Sequence, residues 1–195
     1  MQAQDVLELY TTLQEHGVQI WIDGGWGVDA LLERQTRPHK DLDAFVAFND
    51  LPAMTTALSR RSFVLKEIWG ENRWLHHEEP VLLIGRDEAG DEVATAFVLK
   101  DTLGREIDIH VLHIDEHGCG TPAWDCSLSF SPDALTGQGM IAGSPVQCLS
   151  AAMHMRTHTG YQLQDKDIQD VRLLHERFGI DYPEEHAHLR TRPAM

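Results

Sequence analysis

Asp41-Leu42-Asp43 heads a run, DLDAFVAF (41–48), whose later residues are apolar and strand-forming. In a strand, residues i and i+2 point to one face, about 6.6 Å apart along the chain. Asp41 and Asp43 therefore project two carboxylates into one small volume, while Leu42 turns to the core. Carboxylates that converge to about 5 Å repel by about 3 kcal/mol at an effective dielectric near 20. A divalent cation removes that cost. Mg2+ takes few carboxylates plus water and phosphate oxygens, so a D-x-D pair with an open side suits metal–nucleotide chemistry. An acidic chain also produces D-x-D by chance, so the flanking segments have to decide.

Asp23-Gly24-Gly25 lies between a β-forming stretch, VQIWI (18–22), and a helix, Trp26–Glu33, with Val28, Leu31 and Leu32 on one face. Glycines at such a junction let backbone N–H groups approach a phosphate at the helix N-terminus. No G-K-[ST] follows and no G-x-G-x-x-G is present, which argues against P-loop and dinucleotide-binding enzymes. A third acid stands in Arg105–Ile114. Ile107, Ile109 and Val111 share one strand face; Asp108, His110 and Leu112 share the other. Burying an acid unpaired is costly, so Asp108 belongs beside a metal, a partner charge or water.

The remaining chain frames these residues. Val6, Leu9, Tyr10 and Leu13 predict an opening helix ended near Gly17, and Pro52 starts another that runs through Leu58. Ser62–Trp69, Arg73–His77, Pro80–Arg86, Glu92–Lys100 and Arg105–Ile114 read as a β meander. Residues 115–138 read as one long loop or lid. A hairpin over 139–150 leads into a helix capped by Ser150, and a last helix runs from Asp165 to Phe178, ended by Gly179. The expectation is an α+β fold, a mixed sheet flanked by helices, with a catalytic domain at 1–145 and a helical annex at 146–195.

Composition limits the partners. The 195 residues carry a formal charge of −15, and 42% are hydrophobic, as in a folded globular chain that buries roughly 70% of its unfolded surface. A surface this acidic repels phosphate backbones and anionic lipid, so neither nucleic acid nor membrane is an expected partner. No apolar stretch reaches the roughly 18 residues of a membrane span. The N-terminal MQAQDVLELY lacks a signal peptide's basic and apolar blocks. Cys119, Cys126 and Cys148 have no C-x-x-C spacing, so a reducing cytoplasm is expected.

The run Trp21-Ile22-Asp23-Gly24-Gly25-Trp26-Gly27-Val28-Asp29, followed by Arg37-Pro38-His39-Lys40-Asp41-Leu42-Asp43, resembles the antibiotic nucleotidyltransferases of the DNA polymerase β superfamily. The small lincosamide and aminoglycoside 2″-nucleotidyltransferases are the nearest in pattern. The resemblance continues through Ile107–His110 and reaches Pro145–Cys148, His158–Tyr161, Asp167 and Asp170. It lapses after Asp43, where Ala44-Phe45-Val46 replaces a more polar continuation, and in the 115–138 segment.

The resemblance implies a polymerase β-like fold and Mg2+-dependent transfer of AMP, or another NMP, from ATP or another NTP to a hydroxyl. The triphosphate would lie against Gly24 and Gly25. Asp41 and Asp43 would hold one or two metals, and Asp108 would ligate a metal, accept the hydroxyl proton, or both. The acceptor would be a small neutral or cationic molecule of lincosamide or aminoglycoside type, drawn in by the acidic excess. A homodimer completing the acceptor site fits so small an enzyme. Alternatives are a toxin–antitoxin enzyme acting on protein or tRNA, and a non-catalytic nucleotide-binding module.

Other residues carry weaker signals. Arg37 and His39 precede the Asp41 strand, where they touch phosphate and orient an aspartate or merely shape the loop. Lys166 reaches the triphosphate from the annex or stays solvated. Asp167 and Asp170 share a helix face and cap the last helix or form a cation rim. Tyr161 stacks on adenine or packs between the last two helices, the packing being the expectation, and Trp21 and Trp26 are expected to pack in the core. A rival zinc site would join His76 and His77 to His110 and His113, although His110 and His113 face opposite sides of a strand. His154, His158 and His175 are expected on polar helix faces.

Overall fold

The computed structural model describes residues 1–70, 73–76, 85–86, 92–93, 96–123 and 128–191. Its helices are α1 (Ala3–Glu15), α2 (Gly24–Leu31), α3 (Leu51–Ser59), α4 (Ala151–Thr157) and α5 (Asp165–Phe178). Its strands are β1 (Ile20–Asp23), β2 (Leu42–Ala47), β3 (Val64–Gly70), β4 (Arg73–His76), β5 (Gly85–Arg86), β6 (Glu92–Val93), β7 (Ala96–Lys100), β8 (Glu106–Ile114), β9 (Gly120–Pro122), β10 (Gly137–Ile141) and β11 (Ser144–Cys148). The expected strands around 73–100 are described only in part.

Local chemistry sets the helix ends. α1 buries Val6, Leu9, Tyr10 and Leu13 on its apolar face, and Gln2 with Asp5 forms a capping box at its start. The Ser150 side chain accepts from the Met153 N–H and opens α4. Gln164 and Asp167 box the start of α5, and Gly179 ends it in the left-handed region at φ 67°.

Among the described residues, nine strands form one mixed sheet in the order β10-β11-β1-β2-β8-β7-β3-β4, with β9 added to the far half of β8. β2 runs antiparallel to β1 and parallel to β8. The register pairs Asp23 with Asp43, and Asp43 with Asp108. Paired residues share a sheet face, so these acids form a row across three strands.

The opposite face carries the larger core. Ile20, Ile22, Leu42, Ala44, Val46, Ile107, Ile109 and Val111 pack there under α1, α2 and α3. A smaller cluster, with Trp21, Phe45, Leu112, Phe130 and Met153, lies on the acid face. A third joins Val28 of α2 to Met155 of α4 and Val171 and Leu174 of α5. α2 is thus buried on both sides, and the C-terminal helices dock on it. Trp21 and Trp26 are core residues, as expected. Cys148 is buried, which pushes its thiol up to about 12.

The 115–138 segment departs from the single loop expected of it. It contains β9, the short 3-10 turn Pro132–Leu135 and the start of β10. β9 is three residues long, and pairing with the end of β8 supports it, so no local periodicity announces it. Among the described residues, no helix is long and apolar enough to cross a membrane.

Glu106, at the start of β8, is buried beneath Lys66, Lys100 and Lys40, whose ammonium nitrogens lie 3.1–3.3 Å from its carboxylate. Burial alone would raise this carboxyl, but hydrogen bonds from the three lysines outweigh it and hold it at about 2. A depressed folded-state pKa contributes stability above the unfolded value of 4.5, lost as pH falls toward about 2. Glu106→Gln should therefore cost about 1–3 kcal/mol at pH 7. Urea midpoints at pH 7 and pH 3 should show the wild-type advantage shrinking with acid. An equal advantage at both pH values would contradict this assignment.

Candidate active site

The row of acids stands where β1 ends and the chain turns into α2. That turn works because Gly24 adopts φ +56°, and because a Cβ there would lie 2.2 Å from Asp43 Oδ2. Gly25 and Gly27 are equally constrained. A Cβ on Gly25 would stand 2.3 Å from His39 Nδ1, and one on Gly27 would stand 2.3 Å from His154 Cε1. Each glycine of Gly24-Gly25-Trp26-Gly27 makes room for a different polar side chain.

Asp43, Asp108 and His110 each place a ligand atom within 4.8 Å of the others. Asp108 Oδ1 is buried and accepts no hydrogen bond, and His110 Nε2 lies 3.6 Å from it. Burial raises Asp43 to about 7, with further repulsion from Asp108, Asp41 and Asp23. Burial likewise raises Asp108 to about 7, helped by Asp41 and Asp23. Two carboxyls held this high, with a buried oxygen lacking a partner, form a donor set that a divalent cation would satisfy. His110 supplies the nitrogen of that set, and burial lowers its own pKa against the pull of Asp23 and Asp43.

Asp23 completes the row as an anion. Burial opposes its charge, but His154 and the Gly24 N–H outweigh burial and lower its pKa. His154 Nδ1 lies 3.1 Å from Asp23 Oδ1, an electrostatic contact whose angle is poor for a hydrogen bond. His154 is fully buried and His158 nearly so, so these two leave the polar helix faces expected for them. His158 Nδ1 contacts the His154 carbonyl at 2.7 Å, and His186 Nε2 contacts that of His158 at 2.6 Å.

A cavity of about 510 Å3 opens on the row. Gly24, Gly25, Arg37, His39, Asp41, Asp43 and Lys166 all line it, while Asp108 sits beside Asp43 in the adjoining cluster. Asp41 stands at the exposed lip, its side chain 38% accessible and 3.9 Å from Lys40 Nζ, outside the Asp43–Asp108–His110 group. Lys166 is exposed at the start of α5. Tyr161 also lines the cavity and is 48% exposed, so it does not pack between the last helices.

Arg37 and His39 belong to a connected network. Arg37 Nη2 donates to Asp170 Oδ2 at 2.6 Å, and Arg37 Nη1 meets His39 Nδ1 at 3.0 Å. A guanidinium only donates, so Nδ1 accepts and His39 Nε2–H donates to Asp29 Oδ2 at 2.5 Å. Asp29 Oδ1 also accepts from the Thr36 N–H and hydroxyl. The loop before β2 is thereby fastened to α2 and to α5. Asp167 accepts from the Gln164 N–H as a helix cap, whereas Asp170 is the buried partner of Arg37. The rival zinc site finds no support among the described residues: His113 is exposed and stacks on Phe48, and the side chains of His76 and His77 lie outside them.

Sequence reasoning gave no role to Asp23, Asp29 or His154. Asp23 and Asp29 stand within the Trp21–Asp29 run, but their contacts depend on tertiary register.

The family described as aminoglycoside-2″-adenylyltransferase matches residues 5–84 and 83–174. The chain belongs to this family of antibiotic nucleotidyltransferases. It is 24% identical over 172 residues to a lincosamide resistance protein of Staphylococcus haemolyticus, an alignment spanning 87% of this chain and 89% of that one. Its fold is similar to that of LnuA, a lincosamide antibiotic adenylyltransferase with lincomycin bound, with TM-score 0.67, 22% identity and 88% and 94% of the two chains covered. It is also similar to ANT(2″)-Ia in complex with adenylyl-2″-tobramycin, with TM-score 0.60, 18% identity and 96% and 94% covered.

The network makes two substitutions informative. Arg37→Ala leaves Asp170, with a side chain 1% accessible, as an unpaired buried charge and should cost about 3 kcal/mol. Gly25→Ala drives a methyl into His39 and should cost about 1–3 kcal/mol. Both should lower the urea midpoint measurably. Unchanged midpoints would show that the network does not hold the cavity.

Proposed function

We infer that this chain transfers AMP from ATP to a hydroxyl of a small antibiotic-type acceptor. The observation that carries the reading is the alignment of Asp23, Asp43 and Asp108 on adjacent strands beside a glycine-built, cation-lined cavity. Gly24 and Gly25 open α2 with backbone N–H groups, and Arg37, Lys40 and Lys166 line the same space, so the cavity suits a triphosphate. Asp43 and Asp108 are the residues that would hold a divalent cation, Mg2+ in this reading, with His110 beside them and Asp41 at the open lip. Such a cation neutralises charge on the attacking and leaving oxygens of an in-line displacement.

In that reaction the acceptor oxygen forms a bond to the α-phosphorus, the bond from that phosphorus to the β-phosphate bridge breaks, and pyrophosphate leaves. Asp108, whose carboxyl burial and neighbouring acids raise to about 7, would take the hydroxyl proton. His154 keeps Asp23 ionised, which holds negative charge next to the row and favours a bound cation. Residues 1–145, with the rest of β11, serve as the catalytic part, and the helical annex that follows brings Lys166 and Asp170 to the cavity. The reading places the enzyme in the cytoplasm with no nucleic-acid or membrane partner, and a homodimer is part of it.

The test is incubation with α-labelled ATP, Mg2+ and either lincomycin or tobramycin, with detection of pyrophosphate and of an acceptor heavier by one AMP. Transfer should occur to at least one acceptor, and Asp43→Asn should lower kcat by about 10^2- to 10^4-fold. If no acceptor is labelled, and Asp43→Asn binds ATP and metal as wild type does, the reading is wrong.

A further inference from the structure

A second cavity, of about 450 Å3, adjoins the first and shares Asp23, His110 and Thr157 with it. The two spaces therefore meet at the cation cluster. Their linings differ. The first holds Asp23, Asp41, Asp43, Asp167 and Asp170 together with Arg37, Lys40 and Lys166. The second is walled by Phe45, Phe130, Leu128 and Met153, and among the described residues Asp23 and Arg156 are its charged side chains. The Phe45 ring lies 5.2 Å from the His110 ring and 5.1 Å from the Phe130 ring, so an aromatic wall leads away from the cluster. Arg156 Nη1 donates to the Ser129 carbonyl at 3.0 Å, which holds a cation beside the mouth. Among the described residues of this lining Asp23 is the one carboxylate, and it already faces His154.

Resting on the nucleotidyltransferase reading, we propose that this second cavity is the acceptor pocket, and that it takes a hydroxylated molecule with an apolar body and at most one positive charge in preference to a polyamine. The triphosphate needs the cations and glycines of the first cavity, which leaves the second for the acceptor. An apolar body gains by covering Phe45, Phe130 and Met153, and its hydroxyl then points to the seam where Asp23 and His110 stand. A polyamine would leave water for a pocket with one engaged carboxylate and would meet Arg156. Among the described residues, the acids cluster in the first cavity and only Asp23 reaches this one.

Leu128, 37% exposed, and Arg156, on the exposed side of α4, can be changed without cutting the core. Lincomycin, with an alkyl chain and one amine, and tobramycin, a polyamine, serve as probes. Wild-type kcat/KM should favour lincomycin by about tenfold or more. Leu128→Asp should raise the lincomycin KM roughly tenfold and leave the ATP KM unchanged. Arg156→Glu should narrow the gap by improving tobramycin. Calorimetric binding of both probes to protein loaded with Mg2+ and a non-hydrolysable ATP analogue provides an arm that needs no turnover. Lincomycin binding that Leu128→Asp weakens, without turnover, would sink the transfer reading and keep the pocket. Tighter tobramycin binding, or lincomycin binding indifferent to both substitutions, would overturn the pocket.

Discussion

Strand register places Asp23, Asp43 and Asp108 side by side on one face of β1, β2 and β8, and neighbouring strands are about 4.8 Å apart. At that spacing each neighbouring pair of ionised carboxylates, Asp23–Asp43 and Asp43–Asp108, would repel by about 3 kcal/mol at an effective dielectric near 20. The surrounding structure answers that repulsion residue by residue. His154 and the Gly24 N–H keep Asp23 charged, whereas Asp43 and Asp108 rise to about 7. The fold concentrates negative charge where a cation would relieve it, a stability cost accepted for function.

A second set of contacts fixes what surrounds the row. Arg37 bonds to Asp170 on α5, and His39 bonds to Asp29 on α2, so the loop leading into β2 is held by two helices. The ring of Trp26 lies 4.6 Å from that of His39, which joins this polar chain to the core. The glycines of Gly24-Gly25-Trp26-Gly27 are the spaces into which Asp43, His39 and His154 fit. The first cavity and the aromatic pocket then meet at one seam, and their linings differ, one rich in charged and the other in apolar side chains.

Much of this was legible in the sequence because it depends on local patterns. The 3.6-residue period of Val6–Leu13, the β-rich stretch ending at Ile22 and the Ile107-Asp108-Ile109 alternation each placed an element correctly. The family pattern of the Trp21–Asp29 and Arg37–Asp43 runs brought out the residues that line the first cavity. What escaped was set by tertiary pairing. Asp23 read as a turn residue because nothing local shows that β1 stands opposite Asp43. His154 carries a polar side chain on a short helix and His158 stands just past its end, and only tertiary packing, against Gly27 of α2 for His154, buries them. Phe130 lay hidden in a segment rich in Gly, Ser and Pro that pairing with β8 and a bridge to Gly120 give its shape.

The central claim is that the acid row is an electrostatic liability that a divalent cation relieves. Thermal unfolding of wild type and Asp108→Asn at pH 8, with EDTA and then with millimolar Mg2+ or Mn2+, tests it without turnover. A raised carboxyl pKa means that ionisation at pH 8 costs stability, so in EDTA the variant should be more stable by about 2 kcal/mol. Added metal should raise the wild-type Tm and reduce or reverse that difference. A variant less stable than wild type in EDTA, with a wild-type Tm indifferent to metal, would contradict the account.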